Sequence, residues 1–193
     1  MEATKTSGRG EQRRRLILDT TLRLIADGGV DSVTHRRVAD AACIPLGSTT
    51  YYFESRDHLL REAFDHYLAQ ATALHLEVRS NPIESQAALV DYLVELTRRE
   101  FEDEAILLAE YELTLFAARD AHVAASLHRW DQMLIKEIAK AMKSLGASRA
   151  HESAQTILNL MRGYELDRLT RHELDSANFR KRLKVVVSAL ANA

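Results

Sequence analysis

The residues with the clearest chemical purpose lie in the stretch THRRVADAACIPLGSTTYYF, from Thr34 to Phe53. It sets two adjacent arginines, Arg36 and Arg37, ahead of a run of hydroxyl side chains, Ser48, Thr49, Thr50, Tyr51 and Tyr52. Guanidinium groups hold phosphates through a planar fork of N–H donors. Serine and threonine hydroxyls reach base edges or phosphates, a threonine methyl can meet a thymine methyl, and a tyrosine hydroxyl can donate to a phosphate oxygen. Gly47 allows close approach to a sugar–phosphate backbone. These are the groups of a nucleic-acid reader rather than of a catalyst. No P-loop, dinucleotide fingerprint or G-x-S-x-G is present. The eight histidines form no H-E-x-x-H, since His151-Glu152 and His172-Glu173 lack the second histidine at the required place. Glu110 and Glu112 stand at i, i+2 and point to different sides of a helix. No catalytic residue, cofactor or metal is expected.

Two short helices must position these groups. Thr34 caps the first, whose inner face is Val38, Ala39 and Ala42. A turn at Cys43-Ile44 follows, and Pro45 suits the first position of a second helix running through Gly47 to about Tyr52. That is helix-turn-helix geometry, in which the second helix enters the DNA major groove with its N-terminal residues, Leu46 onward, at base edges. Phe53 reads as core. At least one of Tyr51 and Tyr52 faces outward, because a short helix cannot bury three successive aromatics on one face. Cys43 reads as a small buried thiol, and as the one cysteine it excludes an intrachain disulfide.

Around this motif the 3.6-residue period predicts helices throughout. Residues 1–10 read as a flexible basic arm. A helix from Glu11 to Ala26 carries Leu18, Leu22 and Ile25 inward and stops at Gly28-Gly29. Ser55 caps a long helix with an apolar stripe from Leu60 to Leu74, ending before Asn81-Pro82. Five more patterns cover about Glu84–Phe101, Glu104–Ala118, Ala121–Leu145, Arg149–Arg171 and Ala177–Leu190, with Gly146 stopping the third and Ser148 and Ser176 capping the last two. The fold class is all-α with nine helices. Residues 11–70 form the DNA-binding unit and 71–193 the remainder, and the boundary falls inside the long helix, whose movement can carry a signal.

Composition agrees with this plan. Hydrophobic residues make up 46% of the 193, enough for a sizeable core, and only two prolines and seven glycines interrupt the chain. The net charge of −2 argues against a strongly basic nucleic-acid protein. Yet residues 1–60 carry +1 and the rest −3, and Arg13, Arg14 and Arg15 make a second phosphate-seeking cluster, Arg14 being the expected contact. No apolar run is long enough to span a membrane and no hydrophobic leader opens the chain, so a soluble, cytoplasmic protein is expected.

The helix from Ile17 to Ala26, Gly28-Gly29 with Thr34 soon after, Val38-Ala39 with Ala42, Gly47, Tyr52-Phe53, Ser55-Arg56 and Leu59-Leu60 together resemble the DNA-binding domain of TetR-family regulators. The likeness covers about residues 11–70. A second stretch, YELTLFAARDAHV at residues 111–123, resembles a segment of some members' ligand-binding domains. The resemblance implies a repressor that dimerises through its last two helices, binds a palindromic double-stranded operator and releases it when a small-molecule effector enters the C-terminal domain. Thr34, Arg36 and Arg37 stand where the family touches backbone and groove, Ser48, Thr49, Thr50 and Tyr51 on the recognition helix, Tyr52 and Arg56 at phosphate-contacting positions. Pro45, Leu46 and Thr50 depart from the residues common there. The implied pocket draws on Tyr67, Gln70, Tyr111, Thr114, Phe116, Trp130, Met133, Asn159, Arg162 and Glu165, which pair apolar bodies with polar tips. Ala154, Gly163, Leu166, Val186 and Leu190 offer a surface for a homodimer's four-helix bundle. Two other readings fit the composition: an all-α enzyme or scavenger using a helical cavity, and a DNA-binding protein whose C-terminal part only dimerises.

Overall fold

A computed structural model describes residues 3–79, 83–171 and 176–192. Among them every regular element is helical: α1 (Ala3–Gly28), α2 (His35–Ala41), α3 (Leu46–Tyr52), α4 (Arg56–Val78), α5 (Gln86–Glu100), α6 (Glu104–Ala117), α7 (Ala121–Ser144), α8 (Ala150–Arg171) and α9 (Ser176–Ala191), with short 3-10 turns at Val30–Ser32 and Phe101–Asp103. The described residues gather into two compact units. One draws on residues up to 70 together with 105–127, the other on 71–104 and from 128 onward. The second stretch resembling a ligand-binding segment, residues 111–123, therefore clusters with the helix-turn-helix.

In the first unit α1 packs on α2, and α2 on α3. Ile17, Leu18, Leu22, Ile25, Val38, Phe53, Leu59, Leu60 and Phe64 are all buried. Each such side chain contributes about 1.5–3 kcal/mol by leaving water. In the second unit α9 packs on both α5 and α8. Leu89, Leu93, Ile157, Leu183 and Val187 are buried there.

The caps explain where the helices start. Thr34 accepts the Arg37 N–H at 3.2 Å, Ser55 the His58 N–H at 3.1 Å and Ser85 the Ala88 N–H at 3.1 Å. Pro45 departs from its expected place: with φ −60° and ψ 140° it is the extended residue before α3, which begins at Leu46. α1 begins at Ala3, through the residues expected to form a flexible arm. No proline interrupts it, and the straight-chain residues of Glu11–Arg15 favour helix. The expected stop at Asn81-Pro82, and His172-Glu173, lie outside the described residues.

Cys43 is a second correction. It is exposed, not a buried thiol, and its φ is +53°. The Cys43 N–H donates to the Asp40 carbonyl at 3.2 Å and the Ile44 N–H to the Ala39 carbonyl at 3.0 Å. This pair of bonds closes α2 and needs a left-handed residue, usually glycine, at position 43. α7 closes the same way with the expected residue, Gly146, at φ +98°.

Candidate nucleic-acid interface

The helix-turn-helix sorts its own residues. Val38 and Ala39 of α2, Thr49 of α3 and Phe53 face inward and are at most 1% exposed. Thr34, Arg36, Arg37, Leu46, Gly47, Thr50 and Tyr51 are exposed, and Ser48 and Tyr52 are half-buried. Tyr51 is 81% exposed, which is unusual for so large a ring. Its edge meets Tyr52 at 5.0 Å between centroids, holding it on the outer face of α3. A Cβ placed on Gly47 meets nothing within 4 Å, so the fold itself does not require glycine there. Leu46, Gly47, Thr50 and Tyr51 thus form one open face of a short helix, the shape that major-groove reading needs.

Three expected contacts are reassigned. Thr49 is buried, and its hydroxyl donates to the Leu46 carbonyl at 2.8 Å. It serves the α2–α3 packing, with the His35 carbonyl of α2 also within 3.4 Å of the hydroxyl. Arg56 is held by the protein: Nε donates to the Val33 carbonyl at 3.0 Å and Nη2 to the Val30 carbonyl at 2.8 Å, with Asp31 at 3.3 Å. It fastens the Val30–Ser32 turn to α4. Arg14 pairs with Glu62 and lies 5.8 Å above the Phe53 ring, so its charge is answered internally. Arg13 and Arg36 are exposed instead. Arg37 keeps one N–H on the Ser32 carbonyl at 2.9 Å while remaining exposed.

Behind the motif, α4 is anchored to the other helices of its unit by polar contacts that the sequence did not announce. Asp120 is 7% exposed. Its Oδ1 accepts the His122 and Val123 N–H groups, both at 3.0 Å, capping α7. Its Oδ2 accepts Nε and Nη2 of Arg61 on α4 at 3.0 and 2.8 Å. The Arg61 hydrogen bonds, helped by the two backbone donors, hold the Asp120 carboxyl below the ordinary carboxylate range. His122 reaches Asp65 at 2.9 Å, and His66 on α4 reaches Asp19 on α1 at 2.7 Å.

The ten expected pocket residues fall five and five in the two units. In the first, the Tyr67 hydroxyl donates to Glu110, and Gln70 touches Asp19 at 3.2 Å and His66 at 2.7 Å. Tyr111, Thr114 and Phe116 are half-buried along α6. In the second, Trp130 is buried with its ring edge-on to His75 at 6.4 Å, Met133 is half-buried and Glu165 is buried. Asn159 and Arg162 line a groove of about 450 Å³ with His128, Asp131, Gln155 and Leu158. The sequence reading missed the buried polar groups of this second unit. His75 Nδ1 is 2.6 Å from the Tyr92 hydroxyl, and burial pushes the His75 pKa down and that of Tyr92 up. Arg168 lies 3.5 Å over the Phe101 ring. No local pattern marks such residues, because their partners come from distant helices.

Comparison with known proteins places the chain. The model of bacterial regulatory proteins of the tetR family matches residues 17–63, and that of the tetracyclin repressor-like C-terminal domain matches residues 84–192. The chain is 28% identical over 138 residues to the transcriptional repressor KstR of Rhodococcus jostii, covering 71% of this chain and 63% of that protein. It is 26% identical over 167 residues to the nicotine-responsive repressor HdnoR of Paenarthrobacter nicotinovorans, covering 80% and 82%. The matched segment spans less than two thirds of the KstR relatives, 63% in Rhodococcus and 59% in Mycobacterium tuberculosis. Among solved structures, a transcriptional regulator from Streptomyces coelicolor A3(2) superposes with a TM-score of 0.69 at 27% identity, covering 92% of this chain and 99% of that one. The multidrug binding protein EbrR complexed with ethidium superposes with a TM-score of 0.67 at 26% identity, covering 90% and 98%. The sorted helix-turn-helix and the two matched regions agree, and the chain belongs to the TetR family of bacterial regulatory proteins.

Proposed function

We propose that this protein is a dimeric, effector-released repressor acting on a palindromic operator in the cytoplasm. The observation that carries the reading is the open face of α3, where Tyr51 is 81% exposed beside Leu46, Gly47 and Thr50 while Thr49 and Phe53 are buried. The fold holds those side chains outward, with the Thr50 hydroxyl 3.4 Å from the Leu46 and Gly47 carbonyls and the Tyr51 ring against Tyr52. Arg36 and Arg37 flank that face with exposed cations. Relatives named as transcriptional repressors support the same activity.

The dimer reading draws on α8 and α9. Leu166 is 50% and Val185 64% exposed, and a Cβ on Gly163 meets nothing within 4 Å. A second copy can cover this face as a four-helix bundle. Ala154 is excluded, being fully buried within its own chain. Two protomers then present their recognition helices roughly 34–36 Å apart, one turn of DNA. Ligand responses named for relatives, nicotine for HdnoR and ethidium bound to EbrR, support an effector site in this chain as well. Among the described residues no helix is long and apolar enough to cross a membrane.

The test is retention of genomic fragments on the purified protein at physiological salt, followed by sequencing. Enrichment of a few palindromic sites is the expected result. Retention without sequence preference overturns the operator reading, and so does no retention by protein stripped of ligand through unfolding and refolding.

A further inference from the structure

The cations of α1 are not answered alike. Arg14 pairs with Glu62, and Arg15 with Asp19 at 3.7 Å. Arg9 and Arg13 are both exposed, and among the described residues neither meets a carboxylate. They stand four residues apart, so they share one face of the helix, where like charges repel. Glu11, the acid between them, lies two residues from each and points to another side. The place of this face follows from what its neighbours touch. A Cβ on Gly10 would come 3.4 Å from the Tyr52 hydroxyl, and the Arg14 guanidinium lies 5.8 Å from the centre of the Phe53 ring. The line from Gly10 to Arg14 therefore rests against the end of α3, and Arg9 and Arg13, each one residue before it, border that seam. Asp19, which reaches His66 of α4 at 2.7 Å, marks the flank of α1 turned to α4. On the 3.6-residue period Arg9 and Arg13 fall on the other side of the buried stripe of Ile17, Leu18, Leu22 and Ile25, away from α4. Across the seam stands Tyr51, 81% exposed, its edge on Tyr52 at 5.0 Å. Two unanswered guanidiniums thus carry the open face of α3 onto α1.

We infer that Arg9 and Arg13 form a phosphate clamp on α1. With α3 in the major groove, the first turns of α1 meet the sugar–phosphate backbone at the groove's rim, and the two guanidiniums take phosphates there. A guanidinium fork suits phosphate oxygens, and such contacts fix the position of a duplex without reading its sequence. The helical start of α1 gives the clamp its place, since a helix holds both side chains at a set distance from Tyr52 where a loose arm would not. The inference rests on the operator-binding reading above and adds to it a contact that the recognition helix does not supply.

The experiment uses the full chain and two labelled duplexes of one length: a palindromic fragment enriched in the retention experiment and a scrambled sequence. Affinity is read by fluorescence anisotropy over a series of salt concentrations, beside thermal melts. Arg9→Ala/Arg13→Ala is expected to weaken binding to both duplexes by a like factor and to reduce the slope of log affinity against log salt by about 1.8, which is about 0.9 for each phosphate released. Its Tm is unchanged, because neither side chain holds another part of the fold. Arg9→Lys/Arg13→Lys restores the slope, since a lysine also serves a phosphate as a point charge. Lys140→Ala/Lys143→Ala removes the same charge from exposed positions on α7 and leaves the slope as in wild type. An unchanged slope in the alanine pair, a loss confined to the palindrome, an equal loss in the α7 pair, no recovery with lysines, or a lowered Tm overturns the clamp. The two readings fail separately. Wild-type protein that prefers the palindrome while the alanine pair keeps its slope refutes the clamp and leaves the operator reading standing. Wild-type protein that binds both duplexes alike, with the slope reduced in the alanine pair, refutes the operator reading and leaves the clamp.

Discussion

Replacing Asp120 separates two jobs done by one carboxylate. Its Oδ1 caps α7 through the His122 and Val123 N–H groups, both at 3.0 Å, and its Oδ2 takes the Arg61 fork at 3.0 and 2.8 Å. Asp120→Ala removes both. Loss of the cap alone costs about 1 kcal/mol. For a chain of this length that lowers Tm by about 2–4 °C. Asp120→Asn keeps a good cap, since asparagine is as effective there, and removes only the charge that Arg61 answers. The Arg61 side chain is 42% exposed and returns to water when its partner goes, so the second variant is the milder one. The pH dependence distinguishes the jobs. In the folded protein the Asp120 carboxyl titrates below its ordinary 3.8, held down first by the Arg61 hydrogen bonds. A depressed carboxylate contributes stability that is fully present above the unfolded value and is lost as pH falls through the folded one. The gap between wild type and Asp120→Asn is therefore constant near neutrality and closes below pH 3.8. Urea unfolding followed by circular dichroism, at neutral pH and at a series of acid values, measures both gaps. An Asp120→Asn variant as destabilised as Asp120→Ala, with a gap that survives acid, refutes the division of roles.

The reading face gives three contrasts. Tyr51→Ala is expected to weaken operator binding by about tenfold or more, at about 1–3 kcal/mol for a specific contact, with Tm unchanged. Gly47→Ala likewise folds normally, because its methyl enters open space, and weakens operator binding by blocking close approach. Thr49→Val is expected to lower stability by about 1 kcal/mol through its lost hydrogen bond and to leave affinity intact; fluorescence anisotropy on operator DNA beside thermal melts checks all three. Arg36→Ala should reduce the salt slope of binding by about 1, whereas Arg14→Ala, whose charge already faces Glu62, should leave the slope unchanged and lower Tm. Cys43→Gly should stabilise the protein by about 1 kcal/mol, the cost of a side chain in the left-handed region. An unchanged urea midpoint counts against strain at that turn.

Elements with local causes were legible in the sequence, and contacts with distant causes were not. Thr34, Ser55 and Gly146 each act on backbone within a few residues, so their roles follow from identity and spacing. The same holds for the inward Val38 and Ala39 and the outward Tyr51. Thr49, Arg14 and Arg56 defeated the reading because a hydroxyl or a guanidinium is equally suited to a phosphate and to a protein carbonyl. Only the tertiary neighbours, Leu46, Glu62 and Val30, decide which it meets. Cys43 carries a sharper lesson, since its conformation is set by the closing bonds of α2, which outweigh the residue's own preference. Under the proposed function, operator contact falls to groups that the fold leaves exposed, as at Tyr51 and Arg36.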